Sequence, residues 1–383
     1  MLGKKEDYFK EVNSFHTANE IVQQPKTWQK TLELIKQQKG KLKEFLKFLD
    51  KDTDVILVGA GTSEFVGNTI INYINDLLEQ CVRSVATTDI VSHPEHYFKK
   101  DKKLLLVSYG RSGSSPESVA TVDLANQIVD EVRHLVITCN EEGSLSKMSA
   151  GSEKYHTIQL PEETHDVSFA MTSSYTNMML ATILAFDCDN LELHARELAK
   201  ACEMASQLLD EDYKVLNEIV TGFNFDRIVY LGASYLKGTA QESALKMLEL
   251  SGGKVATLFD TPLGFRHGPK SIIQENVLTV LYHSDREYAY QYEKDLAKEM
   301  LAERDGNKIL IVRNNHTEEM DADYKIEFNT PSFESDVYLN FVYIIVGQII
   351  ALKKSISLGI SADNPCPSGE VNRVVQGVQI YNY

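Results

Sequence analysis

The sequence predicts an α/β protein of two tandem domains, each a parallel sheet flanked by helices in a doubly wound, Rossmann-like arrangement. Short apolar runs alternate with longer stretches of helical periodicity, which is typical of strands that pair in parallel. The strand that ends in Gly-Ala-Gly-Thr-Ser at 59–63 is echoed by a second strand that ends in Gly-Ala-Ser at 232–234. This internal repeat indicates that the same plan is used twice.

The length of 383 residues agrees with two domains, because it exceeds what one hydrophobic core usually organises. We expect an N-terminal helical segment at 1–40, a first domain at 41–205 and a second domain at 206–383. In chain order, strands are predicted at 54–58, 104–107, 134–138, 155–159, 227–231, 254–259, 277–281 and 308–312.

The charge balance limits the classes of partner. There are 55 acidic and 39 basic residues, so the net charge of −16 argues against nucleic acid and anionic membranes. An anionic ligand must therefore be held by a local site. The five cysteines are odd in number and widely spaced, and no His, Asp or Glu cluster has ligand spacing. We therefore expect no disulfide framework, no metal and a cytoplasmic protein.

Two stretches bear on targeting and membranes. The N-terminus carries charges without the apolar segment of a signal peptide. The run at 337–352 approaches a membrane span, yet it is short and contains Asn340, Gly347 and Gln348. We expect a helix that is buried inside the protein or at a subunit contact.

The first glycine loop predicts an anion site. The strand at 54–58 leads through Gly61 directly into a helical pattern that begins with Thr62 and Ser63. A helix N-terminus after a tight loop binds anions through its free backbone N–H groups. Glu64 stands where the third glycine of a dinucleotide fingerprint belongs, and no Gly-Lys-Ser follows as in a P-loop. The loop thus favours a small phosphate over a dinucleotide.

A second loop supplies further phosphate donors. The predicted strand at 104–107 runs into Ser-Tyr-Gly-Arg-Ser-Gly-Ser-Ser-Pro-Glu at 108–117, and another helix follows. Serines in such a place often only cap the helix. Several serines beside an arginine favour a phosphate cup. The donors are Arg111, Ser112, Ser114 and Ser115.

The repeated half contains the candidate catalytic groups. At about 100° per residue, Glu242, Lys246 and Glu249 share one face of a helix. A loop rich in glycine and proline then carries His267, which with Glu249 would form an acid/base pair. The same spacing also fits a surface helix with an ordinary Glu–Lys pair and a turn histidine. His165 is a further candidate, although a loop histidine is more often simply solvated.

These motifs resemble the sugar isomerase (SIS) domain proteins, which carry tandem phosphosugar-binding domains. The set is similar to the tagatose-6-phosphate ketose/aldose isomerase family, whose members include galactosamine-6-phosphate deaminases, and it is related to the isomerase half of glucosamine-6-phosphate synthase. The resemblance runs from about residue 40 to the C-terminus. It is carried by the segments 59–63, 111–118, 170–174, 241–249 and 266–269.

The resemblance implies a role for each matching residue. The phosphate cup maps to Thr62, Ser63, Arg111, Ser112 and Ser115. The catalytic glutamate maps to Glu249, the neighbouring charged pair to Lys246 and Glu242, and the ring-opening histidine to His267. In the synthase that histidine reaches across from a neighbouring subunit, which implies a homodimer.

The chain also departs from the synthase. Gly110 and Arg111 stand where the synthase has serine and glutamine, so the anion contacts must differ. The C-terminal lysine of the synthase has no counterpart at 365–381, where Arg373 is the only cation. No glutaminase domain precedes residue 40, so glutamine is not the expected amine source.

The expected activity is a phosphosugar deaminase/isomerase that converts galactosamine 6-phosphate to tagatose 6-phosphate and ammonia, without a cofactor or metal. A plain aldose–ketose isomerase uses the same groups, and the residues do not decide between a galacto and a gluco substrate. A phosphosugar-sensing regulator is the alternative from another class, because SIS domains also serve that purpose. Redox chemistry with NAD is disfavoured by the missing fingerprint.

Overall fold

The computed structural model describes residues 1–303, 306–375 and 377–383, and its internal contacts divide the chain into two compact units. The first unit comprises Lys26–Asp166, Met171–Ala195 and Ser368–Tyr383. The second unit comprises Met1–Pro25, Val167–Ala170 and Arg196–Pro367. Each unit is thus drawn from several stretches, whereas the sequence-based domains are continuous ranges.

Ten strands and fifteen α-helices are present among the described residues. The strands are β1 (Asp54–Gly59), β2 (Val82–Ala86), β3 (Lys103–Gly110), β4 (Glu131–Thr138), β5 (Tyr155–Gln159), β6 (Arg227–Gly232), β7 (Ala256–Asp260), β8 (Val277–Tyr282), β9 (Lys308–Asn314) and β10 (Tyr324–Phe328). The helices are α1 (Glu6–Glu11), α2 (Phe15–Val22), α3 (Gln24–Leu46), α4 (Thr62–Leu77), α5 (Thr87–Ser92), α6 (Pro94–Tyr97), α7 (Pro116–Ile128), α8 (Ser144–Met148), α9 (Ser173–Phe186), α10 (Leu191–Gln207), α11 (Tyr213–Gly222), α12 (Tyr235–Leu250), α13 (Pro262–Phe265), α14 (Glu287–Ala302) and α15 (Leu339–Ser357).

Each unit contains one five-stranded parallel sheet. The strand order is β2-β1-β3-β4-β5 in the first unit and β10-β9-β8-β6-β7 in the second. All the paired strands run parallel. Because helices cover both faces of such a sheet, its inner strands are near-continuous apolar runs. The predicted fold class, two tandem α/β domains with parallel sheets, is confirmed.

The sequence analysis missed two strands, and both lie at a sheet edge. Strand β2 reads Val-Arg-Ser-Val-Ala and has a partly exposed middle, while β10 reads Tyr-Lys-Ile-Glu-Phe. An edge strand is covered less completely than an inner one and can alternate polar with apolar residues. A prediction based on short apolar runs therefore does not detect these strands.

The internal repeat is visible in the backbone at the start of α4 and α12. The residue before α4 is Gly61, with φ 57° and ψ −128°, and the residue before α12 is Ser234, with φ 50° and ψ −117°. A Cβ on Gly59 would lie 2.3 Å from the backbone of Ser63, and one on Gly232 would lie 2.4 Å from Leu236. Glycine is therefore required where each strand turns into its helix.

Helix α15 is the core element of the second unit. Its residues from Leu339 to Ser355 are all buried. Within the part of the chain that the structure describes, Asp336–Ser357 is the one helical stretch long and apolar enough to cross a membrane, and 94% of its most apolar window is buried inside the protein. The run predicted at 337–352 is therefore an internal helix, as composition suggested.

Candidate active site

The two predicted anion loops meet at one edge of the first sheet. Strands β1 and β3 are direct neighbours and run parallel, so their carboxyl ends lie side by side. Helix α4 begins after the first strand and α7 after the second. This place, between neighbouring strands whose helices diverge, is where open α/β sheets usually bind ligands.

A cavity of about 110 Å³ lies at this edge. We call it the cup. It is lined by Ala60, Ser63, Tyr109, Gly110, Arg111, Ser112, Gly113, Ser115, Glu117, Ser118, Met171, Arg373, Val374 and Val375. Of the predicted phosphate-binding residues, Ser63, Arg111, Ser112 and Ser115 are among these lining residues.

The other three predicted binding residues lie outside the lining among the described residues. Gly61 forms the left-handed turn before α4, and Thr62 is buried in the first turn of that helix. Ser114 is exposed, and its hydroxyl oxygen accepts a hydrogen bond of 3.0 Å from the amide of Ser144. The hydroxyl of Ser114 therefore stabilises the neighbouring turn at Ser144.

Arg111 is buried and tied to the C-terminal tail. Its guanidinium donates a hydrogen bond of 2.6 Å to the carbonyl oxygen of Arg373. The guanidinium of Arg373 in turn donates to the carbonyl oxygen of Asp166. Sequence reasoning noticed Arg373 only as the lone cation of the tail, and it had no local pattern that would place this residue in the cup.

The candidate His165 and its neighbour Asp166 have different surroundings. The carboxylate of Asp166 is fully buried and accepts hydrogen bonds from the amides of Thr172, Ser173 and Ser174, at 2.7, 3.2 and 2.9 Å. It therefore satisfies the free N–H groups at the start of α9. The pKa of His165 is lowered by partial burial and then by the positive charges of Arg373 and Arg111.

In the second unit, the structure brings the three charged residues of α12 together. The ammonium nitrogen of Lys246 lies 3.2 Å from Oε1 of Glu242 and 2.5 Å from Oε2 of Glu249. The side chains of Lys246 and Glu242 are fully buried, while that of Glu249 keeps 22% of its surface exposed. Glu249 is therefore the member of this set that a ligand can reach.

The two carboxylates keep the buried lysine charged. Burial lowers the pKa of Lys246, but the nearby charges of Glu242 and Glu249 outweigh that effect, and the pKa stands above its ordinary value. A lysine without such partners would lose its proton at the same buried position. The set therefore presents a fixed positive charge directly behind a carboxylate.

His267 lies on an exposed turn after α13. Two basic neighbours of the turn, Arg266 and Lys270, form ion pairs with Glu299 of α14. Among the described residues, the imidazole of His267 has no hydrogen-bond partner. The turn is thus anchored on both sides of a histidine that faces solvent.

The corresponding edge of the second sheet is acidic. There β8 takes the place that β3 has in the first sheet. The loop and helix after β8, with the turn before α15, contribute the buried carboxyl groups of Asp285, Glu293 and Asp336. Burial raises the pKa of Asp285 to about 7 and that of Glu293 to about 8. This edge offers carboxyl groups where the first unit offers an arginine and hydroxyls.

No metal-binding group was found among the described residues. Within 1–303, 306–375 and 377–383, no three His, Cys, Asp or Glu side chains are placed to hold a metal ion. All five cysteines are described, and each is a free thiol.

Comparison with known proteins identifies related sequences and structures. Residues 47–187 match the SIS domain. The D-galactosamine-6-phosphate deaminase AgaS of Shewanella sp. (strain ANA-3) is 42% identical over 377 residues, which cover 97% of this chain and 92% of that protein. The tagatose-6-phosphate ketose/aldose isomerase of Escherichia coli has a TM-score of 0.87 at 35% identity, with 96% of each chain covered. A protein of Clostridium novyi NT, provisionally assigned the same isomerase activity, has a TM-score of 0.96 at 44% identity and covers 100% of this chain and 99% of its own.

Proposed function

This chain belongs to the family of SIS-domain proteins that includes the AgaS deaminases, and we propose that it converts galactosamine 6-phosphate to tagatose 6-phosphate and ammonia. The observation that carries the proposal is the charged set on α12. A partly exposed carboxylate, Glu249, lies against a buried ammonium, Lys246. Such a pair suits proton transfer at a carbon next to a carbonyl.

The phosphate of the substrate binds in the cup. This cavity is lined by Ser63, Ser112 and Ser115, which carry hydroxyls, and by Arg111, which carries a guanidinium. The N-terminus of α4 adds backbone N–H groups and a favourable dipole. In a chain of net charge −16, such a local group of donors is what an anionic sugar requires.

Ring opening precedes the carbon chemistry. In this proposal His267 moves a proton between the ring oxygen and O1, which releases the aldehyde. Because the turn that carries His267 is exposed, the histidine is available to a neighbouring copy of the chain. We therefore propose a homodimer in which each chain lends this residue to its partner.

Glu249 then takes the proton from C2 of the open-chain amino sugar, O1 gains the proton that the ammonium group loses, and an enolamine remains. Glu249 returns its proton to C1. Lys246 stabilises the negative charge that develops on the oxygen, and Glu242 holds Lys246 in place. The product is a ketimine at C2. Water adds to this carbon and ammonia leaves, so one water is consumed and the 2-ketose remains. C1 is reduced as C2 is oxidised within the same sugar, so the reaction requires no external oxidant or reductant.

Plain isomerisation is the second candidate, because the E. coli and Clostridium novyi structures carry the isomerase description. It uses the same proton transfer from C2 to C1 without an amine to lose. We place either reaction in the cytoplasm, in agreement with the five free thiols.

The test is ammonia release, coupled to glutamate dehydrogenase, from galactosamine 6-phosphate and glucosamine 6-phosphate side by side. The Glu249→Gln variant is the blank. Ammonia from the galacto sugar supports the proposal, and ammonia from the gluco sugar alone would reassign the substrate. If neither sugar releases ammonia, the interconversion of tagatose 6-phosphate with its aldose is assayed, and turnover there would identify a plain isomerase.

A further inference from the structure

The C-terminal tail forms one wall of the cup. Residues 368–383 belong to the first unit although they are last in the chain. Arg373, Val374 and Val375 line the cavity together with the loop after β3. At the far end, the side chain of Gln127 on α7 donates a hydrogen bond of 2.8 Å to the carbonyl oxygen of Tyr383. The tail thus contacts the rest of the first unit at 373–375 and again at Tyr383.

The C-terminal tail changes the net charge of the residues that line the cup. Among the described residues, the charged side chains of the lining are Arg111, Glu117 and Arg373. One carboxylate oxygen of Glu117, Oε2, is buried there and has no hydrogen-bond partner. Without Arg373, the positive charge of Arg111 and the negative charge of Glu117 would cancel. With Arg373, the lining carries a net positive charge.

Hydrogen bonds hold the two arginines in one neighbourhood. Arg111 donates to the carbonyl oxygen of Arg373, and the side chain of Arg373 donates to the carbonyl oxygen of Asp166. Both cations lower the pKa of the adjacent His165, after the larger effect of burial. A guanidinium offers five N–H donors in a planar fork, which matches the oxygen geometry of a phosphate.

We propose that Arg373 is a second phosphate-binding cation, supplied by the tail and acting beside Arg111 in the cup. This inference rests on the proposed function, because it assumes that the cup holds the phosphate of the substrate. The tail thus contributes to the affinity for the sugar phosphate. Arg373 binds the phosphoryl group, and Val374 and Val375 close the cavity next to it.

The experiment uses inorganic phosphate as the probe and measures its binding to the full-length protein by calorimetry. The variants are Arg373→Ala, Arg373→Lys, Arg111→Ala and, as a matched control, Asn372→Ala, which changes the neighbouring exposed tail residue. We expect Arg373→Ala to weaken phosphate binding about 10-fold or more, as for the loss of a charge-assisted hydrogen bond. Arg373→Lys should recover part of this loss, and Asn372→Ala should bind like the unchanged protein.

Kinetics distinguish a binding role from a merely structural one. Arg373→Ala should raise KM for the sugar phosphate by a similar factor and leave kcat within about 2-fold. Phosphate binding by Arg373→Ala equal to that of the unchanged protein would overturn the inference. If Arg111→Ala alone binds phosphate more weakly, the cup remains the proposed phosphate site and only the role of Arg373 is excluded. If the unchanged, folded protein binds no phosphate, both the inference and the phosphate site of the proposed function are wrong.

Discussion

The ammonium nitrogen of Lys246 lies 2.5 Å from Oε2 of Glu249, yet the lysine is fully buried while the glutamate remains 22% exposed. The burial of this lysine is tolerated because two carboxylates face it, the second being the fully buried Glu242. The pair therefore has an inner, fixed charge and an outer carboxylate that a substrate can contact.

Replacing Glu249 with glutamine should abolish proton transfer without disturbing the first unit. Glutamine has the same shape but cannot accept the C2 proton, so turnover should fall by at least about 100-fold. Phosphate binding, measured by calorimetry, should stay unchanged, because the cup belongs to the first unit. A variant with a near-normal rate would remove Glu249 from the mechanism.

Replacing Lys246 with methionine should destabilise the second unit. The change leaves Glu242 buried without its cation, and breaking a buried pair in this way costs about 3 kcal/mol or more. Urea denaturation measures the loss. The double variant Lys246→Met with Glu242→Gln should recover much of the stability, because it removes both charges, but turnover should stay low. Recovery of turnover would show that Lys246 is only structural.

Arg111 and Ser112, in the loop after β3, should control substrate affinity. Arg111→Ala and Ser112→Ala each remove a donor from the lining, so KM for the sugar phosphate should rise while kcat changes little. Ser114→Ala is the comparison, because its hydroxyl accepts a hydrogen bond from Ser144 and lies outside the lining. If Ser114→Ala raises KM more than Ser112→Ala, the phosphate lies elsewhere in the loop.

Loss of His267 should affect ring opening. His267→Ala should lower the rate with the closed sugar and have little effect with an open-chain analogue. The proposed homodimer makes a sharper test available: the impaired His267→Ala and Glu249→Gln chains, mixed and allowed to exchange subunits, should regain part of the activity with the closed sugar. A mixture that stays inactive after exchange has been verified would count against a histidine shared between subunits.

The contribution of Asp285 and Glu293 to stability should fall as the pH rises from 6.5 to 8. Burial raises the pKa of Asp285 to about 7 and that of Glu293 to about 8, so the folded state retains protons that the unfolded state has lost. The stabilisation by these two carboxyl groups is complete below the ordinary carboxyl pKa. It is lost as the pH rises through the folded-state pKa values, and the unfolding free energy falls by up to about 1.4 kcal/mol per pH unit for each group.

The window is chosen because buried histidines act in the opposite sense at lower pH. Burial lowers the pKa of His283 to about 3 and that of His134 to about 4, so their opposing contributions fade only above the ordinary histidine pKa of about 6.5. Burial also lowers the pKa of Lys353 to about 8, which opposes the decline at the upper end of the window. Other charged or titratable groups around Asp285, Glu293 and His283 include Arg313, His316, Tyr290, Tyr343, Asp336, Arg286 and Lys200. Glu293→Gln should flatten the decline. Unfolding free energies measured by urea at intervals of half a pH unit would contradict this account if both proteins give the same slope.

The sequence by itself determined the repeated α/β plan, the positions of the two glycine loops after β1 and β3, and the charged face of α12. Inner parallel strands are apolar for their whole length, and residues four apart on a helix share a face, so short windows suffice for both inferences. The edge strands β2 and β10 were missed because their partly exposed residues lack that signal.

Only the tertiary structure decided which distant residues meet. Arg373 reaches Arg111 across 262 positions of the chain, and no periodicity of the tail indicates such a contact. The buried Asp166 became a helix cap, and the acidic edge of the second sheet arose from the loop after β8, helix α14 and the turn before α15. A local pattern reports the period and polarity of one segment. Contacts between segments depend on how the folded chain satisfies buried charges and N–H groups, which a single sequence does not display.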